Sequence, residues 1–257
     1  MLNYMRSECY RLKKDKGFYK AVVILGGLVL AMNVVLALAG NYLPGFRYGT
    51  VRFSLNMYTS GMFFTVILGA VVPACLFWED RKNGVLKNAI SYGISREKLF
   101  VGKCIVAFYF TFLTLCAVLA IYAVSAWLLL DHQEWEPLKE LLMGVVASLP
   151  SGIGSLIFSI LLGCIFQKEM TSVIIWISVY YVIPMVFFLV GMKIELLAKV
   201  FRWMPYCFLG TEAMVSMNAY QCPWDTAGGL GRCLLSGFIG IVIFILIGCR
   251  KFRKQEL

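Results

Sequence analysis

Six stretches of the chain contain no Asp, Glu, Lys, Arg or His: Ala21 to Ala39, Tyr58 to Trp78, Cys104 to Leu130, Leu141 to Phe166, Met170 to Met192 and Cys233 to Cys249. A helix needs roughly 18 or more apolar residues to cross a bilayer. Five of the runs reach that length. The last has 17 residues, so its ends are expected near the interface, where Arg232 and Arg250 can snorkel. No water satisfies backbone groups within the hydrocarbon, so each run is expected to be helical. The fold class that follows is an all-α polytopic membrane protein, with residues 1–257 forming a single transmembrane domain.

Composition agrees: 60% of the residues are hydrophobic, 15% are charged and the mean hydropathy is +0.79. A soluble domain is roughly a quarter charged. The net charge of +10 would fit nucleic acid if the basic residues formed a platform interleaved with aromatics. They crowd the ends of the apolar runs instead, so membrane lipids are the expected partner and nucleic acid is not. Of the 24 Lys and Arg, seven (Arg47, Arg52, Lys139, Lys193, Lys199, Arg202, Arg232) fall in one alternate set of connections and 17 in the other. The richer side is expected to be cytoplasmic, which puts both termini in the cytoplasm. Ala37-Leu38-Ala39 before Gly40 resembles a signal-peptidase site. That apolar run exceeds a signal h-region, however, and is read as a retained span.

Several shorter features shape the connections. Leu2, Met5, Cys9 and Leu12 recur at helical spacing among Arg6, Arg11, Lys13 and Lys14, so residues 1–20 are expected to lie along the headgroups, with Phe18 and Tyr19 as an aromatic belt. The longest connection, 193–232, alternates an apolar face (Ile194, Leu197, Phe201, Met204) with Glu195, Lys199 and Arg202. Amphipathic helices that dip into the outer leaflet and return are expected there. Cys207 and Cys222 share this loop, and whether they pair as a disulfide stays open. Pro73 and Pro184 are expected to kink their spans. In the fourth span Pro150, Ser151, Gly152, Gly154 and Ser155 form a run of small residues. Such a run permits close helix contact or a local unwinding, and is read either as plain packing or as a lining of the substrate path.

Chemistry in the classical sense has little to work with. His132 sits with Asp131, Glu134 and Glu136 in an acidic loop, read as solvated. There is no HExxH pair and no G-x-x-x-x-G-K-[ST] loop. No catalytic, cofactor-binding or metal-binding residue is assigned. Secondary transporters couple to ions through carboxylates or basic groups near the midplane, and the six runs offer none. Energy for transport would have to enter through another subunit.

The connection from Glu79 to Lys103 is too long for a tight turn. Val85, Leu86, Ala89 and Ile90 make a short apolar helical face, Gly93 breaks it, and Ser95 is placed to cap the next helix with Glu97 in its first turn. In Glu79, Gly84, Leu86, Lys87, Ile94-Ser95-Arg96, Lys98 and Gly102-Lys103 this segment resembles the permease subunits of type-two ATP-binding-cassette transporters, with Val85 where that family often has Thr. The resemblance implies a coupling helix in 79–103, with Glu79, Gly84, Val85, Leu86, Lys87, Ala89 and Ile90 facing an ATPase subunit. It also implies that Ser95, Arg96, Lys98 and Lys103 anchor the following helix to headgroups and to that partner. ATP and Mg would bind the ATPase and no cofactor would bind this chain. A second permease, identical or related, would complete the path.

The function expected from the resemblance is export of an amphipathic substrate across the bacterial plasma membrane: an antimicrobial peptide such as a lantibiotic, an antibiotic or a lipid-like molecule. The competing readings are a membrane-embedded enzyme using His132 and the acidic loop, and an immunity protein that sequesters peptide without an ATPase partner.

Overall fold

A computed structural model describes residues 2–43, 45–82, 95–131, 136–166, 168–215 and 220–254. The coupling face from Gly84 to Ile90, together with His132 and Glu134, lies outside the described residues. Among those described the protein is all-α, apart from a two-residue hairpin that pairs Met214–Val215 with Tyr220–Gln221. Among the described residues five helices are long and apolar enough to span a membrane, or six where the bent pair counts as one span.

Helix α1 (Leu2–Lys13) leads into α2 (Lys16–Tyr42) through Asp15, whose Oδ1 accepts from Gly17 N at 2.7 Å and caps the new helix. Phe18 does not join an aromatic belt. It is buried, edge-on to Phe110 with ring centroids 5.0 Å apart. Tyr19 stays exposed and donates its hydroxyl to Lys13 O at 3.0 Å.

The second span departs from a single rod. It is α3 (Val51–Ser60) followed by α4 (Phe64–Lys82), bent by 69°. Thr50 Oγ1 accepts from Phe53 N and starts α3 seven residues before the apolar run begins. The break falls at Gly61-Met62-Phe63, where three-residue turn bonds such as Phe64 N to Gly61 O (2.9 Å) keep the backbone satisfied.

Helix α5 (Arg96–Leu129) returns alongside α2, and α6 (Glu136–Ile165) runs through the centre of the bundle between α4 and α10 (Ala227–Lys254). The fifth span is α7 (Glu169–Ile177), a π-helical turn over Ser178–Val182 and α8 (Ile183–Gly191). The wide turn lies immediately before Pro184, which has no N–H to donate to an upstream carbonyl. Helix α10 starts at Ala227 and so gives the last span more length than its 17-residue run. Arg232 consequently does not snorkel; it pairs with Glu212 across the loop.

That loop folds back on the bundle. Helix α9 (Glu195–Phe201) lies against α8 so closely that a Cβ on Gly191 would come within 3.1 Å of the Ala198 backbone. Phe201 is buried beside Phe188, whereas Ile194 is exposed at the helix start. Trp224 is buried over Gly144 and Met62, covering the α3–α4 bend. No disulfide joins Cys207 to Cys222. The Cys207 thiol donates to Glu212 Oε1 at 3.3 Å, and burial, reinforced by that carboxylate, pushes it up to about 12.

Candidate functional site

Of the residues read as coupling elements, Glu79, Ser95, Arg96 and Lys98 flank the stretch 83–94 and belong to the described residues. Glu79 lies in the last turn of α4. Ser95 holds the N-cap position of α5 with an extended backbone, but its hydroxyl makes no capping bond. Arg96 is the first residue of α5, and Lys98 is exposed two residues on. Glu97 in that first turn suits the positive end of the helix.

The start of α5 is gripped from three sides. Gly102 brings it against α1, where an added Cβ would meet the Tyr4 ring at 3.1 Å. Phe100 is fully buried and fills the space over Gly248 of α10, where a Cβ would come within 2.4 Å of its ring. Lys103 was expected to reach headgroups. Instead it is 1% exposed, with its ammonium 4.2 Å from the centroid of Phe77 on α4. A cation over an aromatic face is worth about 0.5–2 kcal/mol, more as water is removed. The helices on either side of 83–94 are thereby tied to each other as well as to α1 and α10.

The small-residue run sits deep in the same bundle. Helix α6 continues through Pro150 without unwinding. Pro150, Ser151, Gly152, Gly154 and Ser155 are all buried. A Cβ on Gly69 of α4 would lie 2.3 Å from Gly152 O, and one on Gly237 of α10 would lie 2.7 Å from Ser151 N. Three backbones therefore meet at near contact, which only small residues allow. Hydrogen bonds add to this: Ser155 Oγ donates to Val66 O at 2.7 Å and accepts from Trp176 Nε1 at 2.9 Å, and Ser159 Oγ donates to Ala70 O at 3.0 Å. The run thus lies inside one protomer, against its own α4 and α10.

A polar centre that sequence reading missed ties α2, α3 and α5 together. Asn33 is fully buried; its Nδ2 donates to Ser125 Oγ (2.7 Å) and Tyr122 O (3.0 Å), and its Oδ1 accepts from Ser54 Oγ (2.6 Å). Tyr122 returns its hydroxyl proton to Ser54 O at 2.6 Å. The available signal was a lone Asn in an apolar run, a residue that helices in lipid use to hold one another. None of these groups is ionisable at neutral pH. Among the described residues no set of three His, Cys, Asp or Glu could hold a metal ion.

The described ends of the 79–103 connection are thus held on a bundle whose helices meet at close backbone contact. Comparison with curated proteins finds no match for the chain. A family model described as ABC-2 family transporter protein matches residues 4–185, from α1 into α8. That match takes in α1, the bent helix pair, the 79–103 connection and the central helix, well over half of the chain, which therefore belongs to the ABC-2 family as a multi-pass permease subunit of an ATP-binding-cassette transporter.

Proposed function

We propose that the protein is the permease subunit of an exporter that moves an amphipathic substrate, an antimicrobial peptide, antibiotic or lipid-like molecule, with energy from ATP and Mg bound by a separate ATPase subunit. Residues 79–103 receive the ATPase, with Leu86 on the docking face. A second permease, identical or related, completes the path. Both termini face the cytoplasm of a bacterial plasma membrane, on the side rich in Lys and Arg.

The observation that carries this reading is the three-sided grip on α5. Gly102, Phe100 and Lys103 join its first turns to α1, α10 and α4, so force applied to 83–94 acts on a connected bundle rather than a loose loop. The apolar character of the spans supports an amphipathic cargo. A sugar or an ion would need polar partners along its path to offset desolvation.

Leu86→Asp tests the docking role, because it places an unpaired carboxylate in a face expected to be covered by the ATPase. The expected outcome is loss of substrate-stimulated ATP turnover, with the permease still present in the membrane at wild-type level. Unchanged stimulated turnover in that variant would overturn the docking assignment.

A further inference from the structure

Helix α1 turns its apolar side to protein. Tyr4, Met5 and Cys9 pack against the core, and Leu12 is 1% exposed. The opposite side is cationic. Arg6 and Lys13 on α1, Lys14 directly after it, and Lys16 and Lys20 in the first turns of α2 are all exposed. None of the five has a carboxylate partner among the described residues, since Glu8 pairs with Arg11 and Asp15 caps α2. Tyr10 is exposed on the same side, with Lys14 Nζ 4.6 Å from its ring centroid.

Helix α2 fixes the level at which these charges stand. Its apolar run begins at Ala21, directly after Lys20, and only 17% of its spanning window is buried by protein. The outer side of α2 therefore meets lipid, and Lys16 and Lys20 stand among the headgroups. Tyr19 ties the end of α1 to the same level by donating its hydroxyl to Lys13 O at 3.0 Å. An interfacial helix ordinarily holds a bilayer by burying its apolar side in it. That side of α1 is already covered, so its contact with the membrane is through charge. Such contact needs anionic headgroups, gains roughly fivefold in binding per cation, and weakens as salt screens the charges.

We infer that the cationic side of α1, with the first turn of α2, is a binding site for the headgroups of anionic phospholipids, and that its occupancy steadies the start of α5. The link is the packing of Tyr4 on Gly102, where an added Cβ would meet the ring at 3.1 Å. A headgroup that holds α1 therefore also limits the motion of α5 beside it. The consequence for transport rests on the docking role proposed for 79–103: lipid composition sets how firmly one end of the coupling segment is mounted. The binding and the steadying do not rest on that role.

Hydrogen–deuterium exchange of the full-length protein tests the inference without any ATPase, so a failure here leaves the coupling assignment untouched. The protein is compared in nanodiscs of dioleoylphosphatidylcholine alone and of equal parts dioleoylphosphatidylcholine and dioleoylphosphatidylglycerol. The expected result is that phosphatidylglycerol slows exchange by about threefold or more across both 2–13 and 99–103, and that about 0.5 M sodium chloride removes the difference. A variant carrying Lys13→Gln, Lys14→Gln and Lys16→Gln keeps Arg6, Arg11 and Lys20 to hold the orientation of the first span, and should lose most of the response. Lys193→Gln, Lys199→Gln and Arg202→Gln together, all exposed in the 193–232 connection, should leave the response unchanged. No response to phosphatidylglycerol in the wild type would mean that the cationic side meets something other than lipid, such as an acidic protein. Equal responses in the two triple variants would mean general surface charge, and slowing confined to 2–13 would mean that α1 does not act on α5. Each of these results overturns the inference.

Discussion

Helix α6 and the α7–α8 span are both uninterrupted apolar segments, yet 78% of the α6 window is buried and only 11% of the α7–α8 window. The residues that differ are the small ones. Helix α6 carries Pro150, Ser151, Gly152, Gly154 and Ser155, where neighbouring backbones come to near contact. The exposed part of α7–α8 is bulky: Ile174, Ile177, Tyr181, Met185 and Leu189 all face outward. In lipid a large apolar side chain gains little by leaving hydrocarbon for protein, so association depends on close packing and hydrogen bonds. Apolarity places a helix in the membrane, whereas in α6 the small residues let two neighbouring helices, α4 and α10, close on it.

The largest effect that would break this comparison is expected from Gly69→Val. Its Cβ would sit 2.3 Å from Gly152 O, and backbone atoms cannot swing aside as a side chain can. A loss of about 3 kcal/mol or more is expected from such overpacking, read as a lower thermal midpoint or absence of a monodisperse peak in detergent. Wild-type stability in this variant would mean that α4 and α6 do not pack as described.

An intermediate effect is expected at Ser155, the hydrogen-bonded link between the two regions. Ser155→Ala removes the donor to Val66 O and the acceptor for Trp176 Nε1. Side-chain hydrogen bonds between helices in a bilayer average about 0.6 kcal/mol and reach about 1.7. A double-mutant cycle with Trp176→Phe should give a coupling energy in that range; a value near zero would show that α7 is not fastened to α6 there.

The smallest effect is expected from Leu189→Ala on the exposed face of α8, within about 0.5 kcal/mol of wild type by thermal unfolding. A cost above about 2 kcal/mol, accompanied by a shift from a larger to a smaller species in size-exclusion chromatography, would mean that this face is covered by another protein. The contrast between the two spans would then be one of partner rather than of burial.

Much of the architecture was legible beforehand. The six apolar runs correspond to the five spanning helices and the bent pair, because backbone satisfaction in lipid leaves no alternative to helix. The run from Pro150 to Ser155 could be singled out from residue size alone. Other features were hidden for identifiable reasons. The bend at Gly61 lay inside a continuous apolar run whose composition does not mark it. Lys103 was expected from the resemblance to anchor its helix to headgroups, and only the position of Phe77 shows that α4 covers it. The Asn33 centre depends on Ser54, Tyr122 and Ser125, none of them unusual where it stands in the chain.

By itself the sequence determined that the chain enters the bilayer, which runs are long and apolar enough to cross it, and which connections hold most of the cationic charge. Those properties depend on the transfer of each segment and add up locally along the chain. Only the tertiary structure decided which helix faces protein and which polar groups find partners. Those outcomes rest on pairs such as Ser155 with Val66 and Asn33 with Tyr122, each 89 residues apart, and helix packing alone brings such distant residues within hydrogen-bond distance.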